Sequence, residues 1–168
     1  IRLEVIMPGY LKEKIIRALL NAHPYEEPAY DIIPLDNALS IVGAGIIGEL
    51  PGEKDELQFL HQLKSIFQLD TLKHTSLLNK TIRKVAICGG SGSEFLPEAI
   101  TAGADVFISA DFKYHQYFDA ENKILIADIG HYESEQFTKD VFYEIITKNI
   151  PKFAVRISDV NTNPIKYL

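Results

Sequence analysis

Three short apolar runs, each followed by a segment of helical character, constrain the fold of this 168-residue chain most strongly. The runs are RKVAICG (83–89), DVFISA (105–110) and KILIADI (123–129). They lack the polar alternation of a strand with one solvated face, which indicates strands covered on both faces. Helices are predicted at 94–103, 114–121 and 134–150, and a further strand at 153–158. The sequence therefore predicts an α/β fold, a layered parallel or mixed sheet flanked by helices.

The first half of the chain contains the same kinds of element at lower density. Residues 2–7 and 29–35 are predicted strands around a predicted helix at 11–22, which makes a βαβ-type or hairpin-joined piece too small to fold well alone. A glycine-rich passage at 42–53 separates this piece from a helix predicted at 54–68. A chain of this length buries one good core, so we expect one domain with an appendage.

Charge and composition limit the expected partners. The chain has 17 basic and 23 acidic residues, a formal charge of -6 and no basic block, so nucleic acid is not an expected partner. No apolar stretch approaches the roughly 20 residues that cross a bilayer, and no membrane partner is expected. The single cysteine, Cys88, excludes an intramolecular disulfide and favours a cytoplasmic location.

Polar side chains follow three of the predicted strands. Open α/β sheets bind ligands beyond the carboxyl ends of their strands. The loops at these positions are GGSGS (89–93), ADFKYHQ (110–116) and GHYESE (130–135). We therefore expect the three loops to meet at one edge of the sheet.

The third loop contains a histidine and a glutamate four residues apart. If residues 131–135 begin a helix, His131 and Glu135 project from the same face, about 6 Å apart along the axis. Imidazole nitrogen and carboxylate oxygen suit a divalent ion such as zinc, iron or manganese. The alternative is an ordinary solvated helix start, in which Ser134 and the neighbouring acids favour the helix dipole. Spacing alone leaves both interpretations open.

The second loop adds three chemically useful side chains after a buried strand. Asp111 can orient a metal ligand, Lys113 can anchor a phosphate or carboxylate, and His115 can carry a proton. A loop cap by Asp111 beside an exposed lysine explains the same residues, and it is the simpler interpretation of the loop taken alone.

The first loop is a glycine turn formed by Gly89, Gly90 and the serine that follows them, Ser91. It lacks the lysine of a Walker loop and the spacing of a dinucleotide fingerprint, so both specific motifs are rejected. Its backbone N–H groups can still hold an anion at a helix start. The alternative is a tight turn that only connects a strand to a helix.

A further group of potential metal ligands lies in AHPYEEPAYD (22–31). The group comprises His23, Glu26, Glu27 and Asp31. Pro24 and Pro28 favour an extended connection in which neighbouring carboxylates point in different directions. We interpret the segment as a rigid link from helix to strand, with ligand binding as the alternative. His61 and His74 stand alone in amphipathic segments and are interpreted as structural or surface residues.

Five segments resemble those of a known family, both in their residues and in their order along the chain. They are HPYEEPAYDIIPL, KVAICGGSGSEFL, GADVFISADFKYH, DIGHYESE and TNPIKYL. Together they run the length of the chain and resemble the NGG-interacting-factor-three-like family, the dinuclear metal-centre proteins often labelled type 2 homologues of GTP cyclohydrolase I. HPYEEP is also similar to CutA, whose ferredoxin-like fold is related to PII proteins.

The resemblance implies a domain plan and a set of site residues. Residues 1–39 correspond to the second half of an inserted CutA/PII-like domain, and residues 40–168 to a complete carboxyl-terminal α/β half. The full-length parent is expected to hold two divalent ions per site, with amino-terminal ligands that have no counterpart here and with His131 and Glu135. The residues expected to line the same cleft are Asp111, Lys113, His115, Gly89, Gly90 and Ser91.

The activity that the resemblance implies is metal-dependent hydrolysis of a nucleotide- or pterin-like substrate. The site of this chain alone is expected to be incomplete, with weak or absent catalysis, and the cyclohydrolase label is an analogy that leaves enzyme status open. The alternative is a non-catalytic metal-binding module for regulation or oligomerisation. CutA- and PII-like folds are associated with trimers and the family with ring-shaped assemblies, so a homo-oligomer is expected.

Overall fold

The computed structural model describes residues 2–37 and 42–168, and the chain divides into two compact units, Ile1–Gly43 and Ala44–Leu168. The predicted boundary between residues 39 and 40 lies outside the described residues. The correspondence of residues 1–39 to half of a CutA/PII-like domain stays a prediction.

The amino-terminal unit contains one α-helix, α1 (Lys12–Ala22), entered through a short 3-10 turn at Gly9–Leu11. The predicted helix is confirmed, but it buries none of its residues. The strands predicted at 2–7 and 29–35 do not form, since neither segment belongs to a sheet. A piece of this size offers too few partner strands and too small an apolar face to stabilise an isolated pair.

The carboxyl-terminal unit is a five-stranded sheet flanked by helices, which confirms the predicted fold class. Its strands are β1 (Ile46–Asp55), β2 (Lys73–His74), β3 (Thr81–Ser91), β4 (Val106–Ala110) and β5 (Leu125–Asp128). Its α-helices are α2 (Glu56–Phe67), α3 (Leu96–Thr101), α4 (His131–Glu135) and α5 (Thr138–Asn149). Two 3-10 segments, Ser93–Phe95 and Tyr114–Ala120, complete the set described here.

The sheet is mixed, with strand order β1-β3-β4-β5-β2. The three inner strands β3, β4 and β5 are parallel, and the edge strands β1 and β2 pair antiparallel with β3 and β5. Parallel neighbours need crossover connections, which α3 and the 3-10 segment Tyr114–Ala120 supply. The carboxyl ends of the three inner strands therefore lie at one edge of the sheet.

The strands β4 and β5 are buried on both faces, and the apolar residues of β3 are buried or half-buried. In β4, Val106 and Ile108 belong to a core cluster that includes Phe59 of α2, whereas Phe107 between them belongs to a second cluster that includes Leu96 of α3. The residues of β5 alternate between the same two clusters. Because each face meets a helix, neither face selects polar residues, which explains the uninterrupted apolar runs.

The glycine-rich passage predicted at 42–53 as a separator contains most of β1, so that prediction is wrong. Ile46 and Ile47 pair with Ile87 and Ala86 of β3, and the register shifts between Glu49 and Lys54, around Pro51 and Gly52. An edge strand tolerates proline and glycine at such a bulge because one of its sides carries no ladder.

Two predictions near the carboxyl terminus also need correction. The helix predicted at 134–150 is two helices, α4 and α5, and it begins three residues earlier at His131. The strand predicted at 153–158 does not form. Its apolar residues Val155 and Ile157 line a groove against α5 and pair with no strand. Among the described residues, no helix combines the length and apolar character needed to pass through a bilayer.

The burial pattern predicts different costs for two phenylalanine truncations. Phe107→Ala removes a ring that is 2% exposed, and it should lower the free energy of unfolding by about 3–5 kcal/mol because a cavity remains. Phe118→Ala removes a ring that is 64% exposed and should cost less than about 1 kcal/mol. Urea unfolding followed by circular dichroism measures both. Equal losses would contradict the two-sided core.

Candidate functional site

The loops after β3, β4 and β5 bring a histidine and two carboxylates together. His131, the first residue of α4, has its Nδ1 2.6 Å from Asp111 Oδ2 and its Nε2 3.3 Å from Glu135 Oε2. Asp111 follows β4 directly, and Glu135 ends the same short helix that His131 begins. The helical spacing thus places His131 and Glu135 on one face, as predicted, and the neighbouring strand supplies the third group.

The Asp111 contact fixes the orientation of the imidazole ring. An ionised carboxylate can only accept hydrogen bonds, so Nδ1 carries the proton and donates it to Asp111 Oδ2. Asp111 adopts a left-handed conformation with φ 60°, which aspartate tolerates better than most residues and which aims its side chain from the loop. The hydrogen bond to Asp111 is the main reason why the pKa of His131 is raised, and Glu135 raises it further.

Because Nδ1 carries the proton of the neutral ring, Nε2 has a lone pair. This lone pair points toward the carboxylate of Glu135. Two acceptors across 3.3 Å repel each other unless a positive charge lies between them. A proton on Nε2 supplies that charge, and so does a metal ion. Two ligand atoms bound tetrahedrally to one ion at zinc-like bond lengths would be about 3.4 Å apart. The distance between His131 Nε2 and Glu135 Oε2 therefore fits such an ion.

Gly90 makes room for Glu135. A Cβ at position 90 would overlap Glu135 Oε1 and would lie 3.4 Å from His131 Cε1. The residue also has φ +64°, which side chains other than glycine adopt at a cost. Its N–H donates to Ser134 Oγ at 2.8 Å, and its carbonyl accepts from Ser109 Oγ at 3.3 Å. The glycine turn therefore binds α4 directly, and this N–H is not free for an anion.

A buried aspartate anchors the start of α4. Asp128 ends β5, and its Oδ1 accepts the Gly130 N–H at 3.2 Å. Its Oδ2 accepts the Tyr117 hydroxyl at 2.9 Å and lies 2.6 Å from Lys73 Nζ. Burial, together with the Asp128 charge and its hydrogen bond, raises the pKa of the Tyr117 hydroxyl, so this donor stays protonated. The turn that presents His131 is thus tied to two other parts of the fold.

Glu133 and Asn163 form a partly buried contact that local sequence patterns do not indicate. Asn163 Nδ2 donates to Glu133 Oε1 at 2.9 Å, while Glu133 Oε2 is buried without a hydrogen-bond partner among the described residues. Glu133 occupies the space that a side chain at Gly130 would need. The contact ties the carboxyl-terminal segment to α4. Its only sequence signal is the asparagine within the NTNP motif near the chain end.

In the part of the chain that the structure describes, the remaining predicted site residues add no ion pair or side-chain hydrogen bond to this group, although Gly89 lies against Ser134. Lys113 and His115 are exposed, and within the described ranges their side chains make no ion pair or hydrogen bond with Asp111, His131 or Glu135. Ser91 is exposed at the end of β3, and Gly89 precedes the turn. Their predicted part in lining the cleft stays a prediction.

The amino-terminal unit does not assemble its own histidine and carboxylates. His23 Nδ1 accepts the Tyr25 N–H at 3.1 Å, and the two rings meet edge to face. Across residues 2–37 and 42–168, no group of three or more His, Cys, Asp or Glu side chains is arranged to hold a metal. The described residues therefore form no three-ligand metal site, and His131 with Glu135 is a contact of two side chains.

Comparison with known proteins identifies the family. The model of the Duf34/NIF3 (NGG1p interacting factor 3) family matches residues 10–164. The chain belongs to the Duf34/NIF3 family. The resemblance seen in the five sequence segments is thereby confirmed.

Curated Duf34/NIF3 relatives are about twice as long as this chain. Proteins named GTP cyclohydrolase 1 type 2 homolog are 37% identical in Staphylococcus epidermidis, over 99% of this chain and 46% of that protein, and 37% identical in Listeria monocytogenes, with the same coverage. The crystal structure of a Bacillus cereus protein related to NIF3 matches with a TM-score of 0.75 and 34% identity, covering 96% of this chain and 46% of that chain. The chain spans about half the length of the curated relatives it matches.

The close approach of Gly90 to Glu135 predicts unequal effects of two glycine substitutions. Gly103→Ala, at φ +70° with open space around it, should cost only the left-handed strain of about 1–2 kcal/mol. Gly90→Ala should cost more and should also shift the NMR signals of His131, because it displaces Glu135. Thermal unfolding and histidine NMR measure the two effects. Identical losses with unchanged His131 signals would contradict the close approach.

The hydrogen bond between Asp111 and His131 predicts a titration result. In Asp111→Asn the pKa of His131 should fall toward its ordinary value, because the carboxylate that stabilises the imidazolium is gone. Glu135→Gln should lower it less, since Asp111 is the main cause of the upward shift. NMR titration of the His131 ring protons in metal-free protein measures both. A pKa that is unchanged in Asp111→Asn would refute the assigned contact.

Proposed function

We propose that this chain contributes His131 and Glu135 as ligands to a divalent metal site of a metal-dependent hydrolase acting on a nucleotide- or pterin-like small molecule. The observation that supports the proposal is the 3.3 Å approach of His131 Nε2 and Glu135 Oε2, a nitrogen and an oxygen that either a proton on Nε2 or a metal ion holds together. Nitrogen and carboxylate oxygen together suit zinc, iron or manganese. In the full-length protein we expect two such ions per site.

Each residue has a distinct part in this proposal. Asp111 holds the His131 ring by its Nδ1–H, so that Nε2 is the basic nitrogen directed at the ligand position. Glu135 supplies negative charge next to it, and Gly90 leaves that carboxylate its space. A bound divalent ion would supply a more acidic water and polarise an electrophilic phosphorus or ring carbon.

Two protein ligands are fewer than a tight catalytic site uses, since catalytic zinc sites keep three protein ligands and one open position. We expect the remaining ligands to come from the amino-terminal part of the full-length parent or from another copy of the protein. We therefore expect weak or absent turnover by the chain alone. The single buried thiol, Cys88, is compatible with the cytoplasmic location proposed for the protein.

A metal-binding module for regulation or assembly is the second candidate. The observation that favours it is apolar exposure on α5, which buries none of its residues and exposes 59% of Phe142 and 51% of Ile145. Apolar side chains exposed on one helix are a common feature of association surfaces. A homo-oligomer formed through this surface would need no turnover.

The proposed ligand pair predicts the metal content of the protein. The protein refolded with zinc and dialysed should retain more zinc than a His131→Ala, Glu135→Ala double variant, because the variant lacks the nitrogen and oxygen donors of the pair. A matched control is His61→Ala, Glu98→Ala, which removes the same residue types from exposed positions on α2 and α3. Mass spectrometry of metal content, with circular dichroism to verify folding, measures the result.

The outcomes separate the two candidates and the alternative site. Zinc retained by the double variant would refute the pair and redirect attention to His23, Glu26 and Glu27. Zinc lost from the double variant, with metal-dependent release of product from nucleotide substrates by the full-length parent, favours the hydrolase. Zinc binding without turnover by the full-length parent, accompanied by metal-dependent assembly in sedimentation, favours the module.

A further inference from the structure

A groove of about 700 Å³ opens directly beside the His131 and Glu135 pair. Its volume falls within the roughly 300–1,000 Å³ typical of small-molecule sites. One wall is a continuous face of α4 and α5, lined by His131, Glu135, Lys139, Phe142, Tyr143 and Ile146. The other wall is the carboxyl-terminal segment, from Val155 to Ile165, which the contact between Glu133 and Asn163 ties to α4.

The lining of this groove combines apolar rings with two cations. Lys139 lies on the same face as Tyr143, four residues apart, and within the described ranges it forms no ion pair. Arg156 lines the second wall with a largely exposed side chain, and among the described residues its ion pair is with Asp159, at 3.3 Å. Such exposed pairs are weak, so the Arg156 guanidinium remains available to a ligand anion.

The charge of the groove differs from that of the whole chain. The chain carries a formal charge of -6, yet the groove pairs Lys139 and Arg156 with a single lining carboxylate, Glu135. That carboxylate lies beside His131, whereas Lys139 lies four residues farther along the helical wall and Arg156 lies on the other wall. The arrangement favours a ligand whose anion lies away from Glu135 and whose rings contact Phe142 and Tyr143.

We infer that this groove binds a small molecule that carries an aromatic ring and a phosphate, with the phosphate at Lys139 and Arg156 and the ring against Phe142 and Tyr143. The inference rests on the proposed function only for the hydrolysis of the ligand. In that reaction the bond to be cleaved would lie toward His131 and Glu135. Binding itself needs no metal. A second copy of the chain seated in the groove is the competing occupant.

The probe is 4-methylumbelliferyl phosphate, compared with neutral 4-methylumbelliferone and with inorganic phosphate. Equilibrium dialysis is carried out in excess EDTA, so that the groove is measured apart from any metal site. The phosphate ester should bind more tightly than either component, because it engages both the rings and the cations.

Four variants assign the two parts of the groove. Lys139→Ala and Arg156→Ala should each weaken binding of the ester about tenfold and leave the neutral dye unchanged, since each removes one charge-assisted hydrogen bond. Phe142→Ala should weaken the ester and the neutral dye alike. Lys148→Ala is the matched control, because it removes an exposed lysine of the same helix that does not line the groove, and it should change neither.

Several results would overturn the inference. One is equal affinity of the protein for the ester and for the neutral dye. Another is an equal loss of ester affinity in Lys148→Ala and Lys139→Ala. Failure of the ester to bind is a third. If sedimentation also finds self-association that Phe142→Ala abolishes, the occupant is a second copy. Retention of metal by the His131→Ala, Glu135→Ala variant, with ester binding in EDTA intact, would refute the proposed ligand pair and leave the groove assignment standing.

Discussion

The two-sided burial of β4 and β5 is the constraint on which the rest of the carboxyl-terminal unit depends. Val106, Leu125 and Ile126 have no exposed surface, so these strands cannot carry chemistry along their length. Polar groups are accommodated where the strands end, at Asp111 and Asp128. The parallel arrangement of β3, β4 and β5 then places the three following loops at one edge. The site is therefore a consequence of how the core excludes polar side chains elsewhere.

The short helix α4 has only five residues, too few for a stable helix in isolation. Its position comes from contacts made by distant segments. Asp128 holds the Gly130 N–H, Gly90 donates to Ser134, and Asn163 binds Glu133. These bonds hold the backbone on both sides of His131 while leaving its Nε2 toward Glu135. The geometry of the pair thus depends on tertiary hydrogen bonds more than on helix propensity.

Local periodicity predicted the features of this fold that depend on near neighbours in the sequence. The unbroken apolar runs predicted the covered strands, and the four-residue spacing predicted the shared face of His131 and Glu135. It failed where a partner lies far along the chain. Asn163 is 30 residues from Glu133, and β1 owes its strand character to pairing with β3, which composition rich in glycine obscured. The segment 153–158 has strand-like residues but lies against α5 and pairs with no strand. Its apolar pattern indicates that the segment packs against another element, but it does not indicate whether that element is a strand or a helix.

The link between the ligand pair and the groove also follows from backbone geometry. Gln136 and Phe137, between α4 and α5, keep right-handed helical conformations, so the four-residue spacing that aligns His131 with Glu135 continues to Lys139 and Tyr143. A ligand lying along this face would meet the acceptor pair at one end and the cation and rings at successive turns. The sequence fixes the order of the four side chains along the helices, and each lies about 40° farther around the axis than the one before it. Under the proposed function, Lys139 would hold the phosphate of the ligand at a fixed distance from His131 and Glu135. The bond that lies at this distance from the phosphate would therefore be the one that is cleaved.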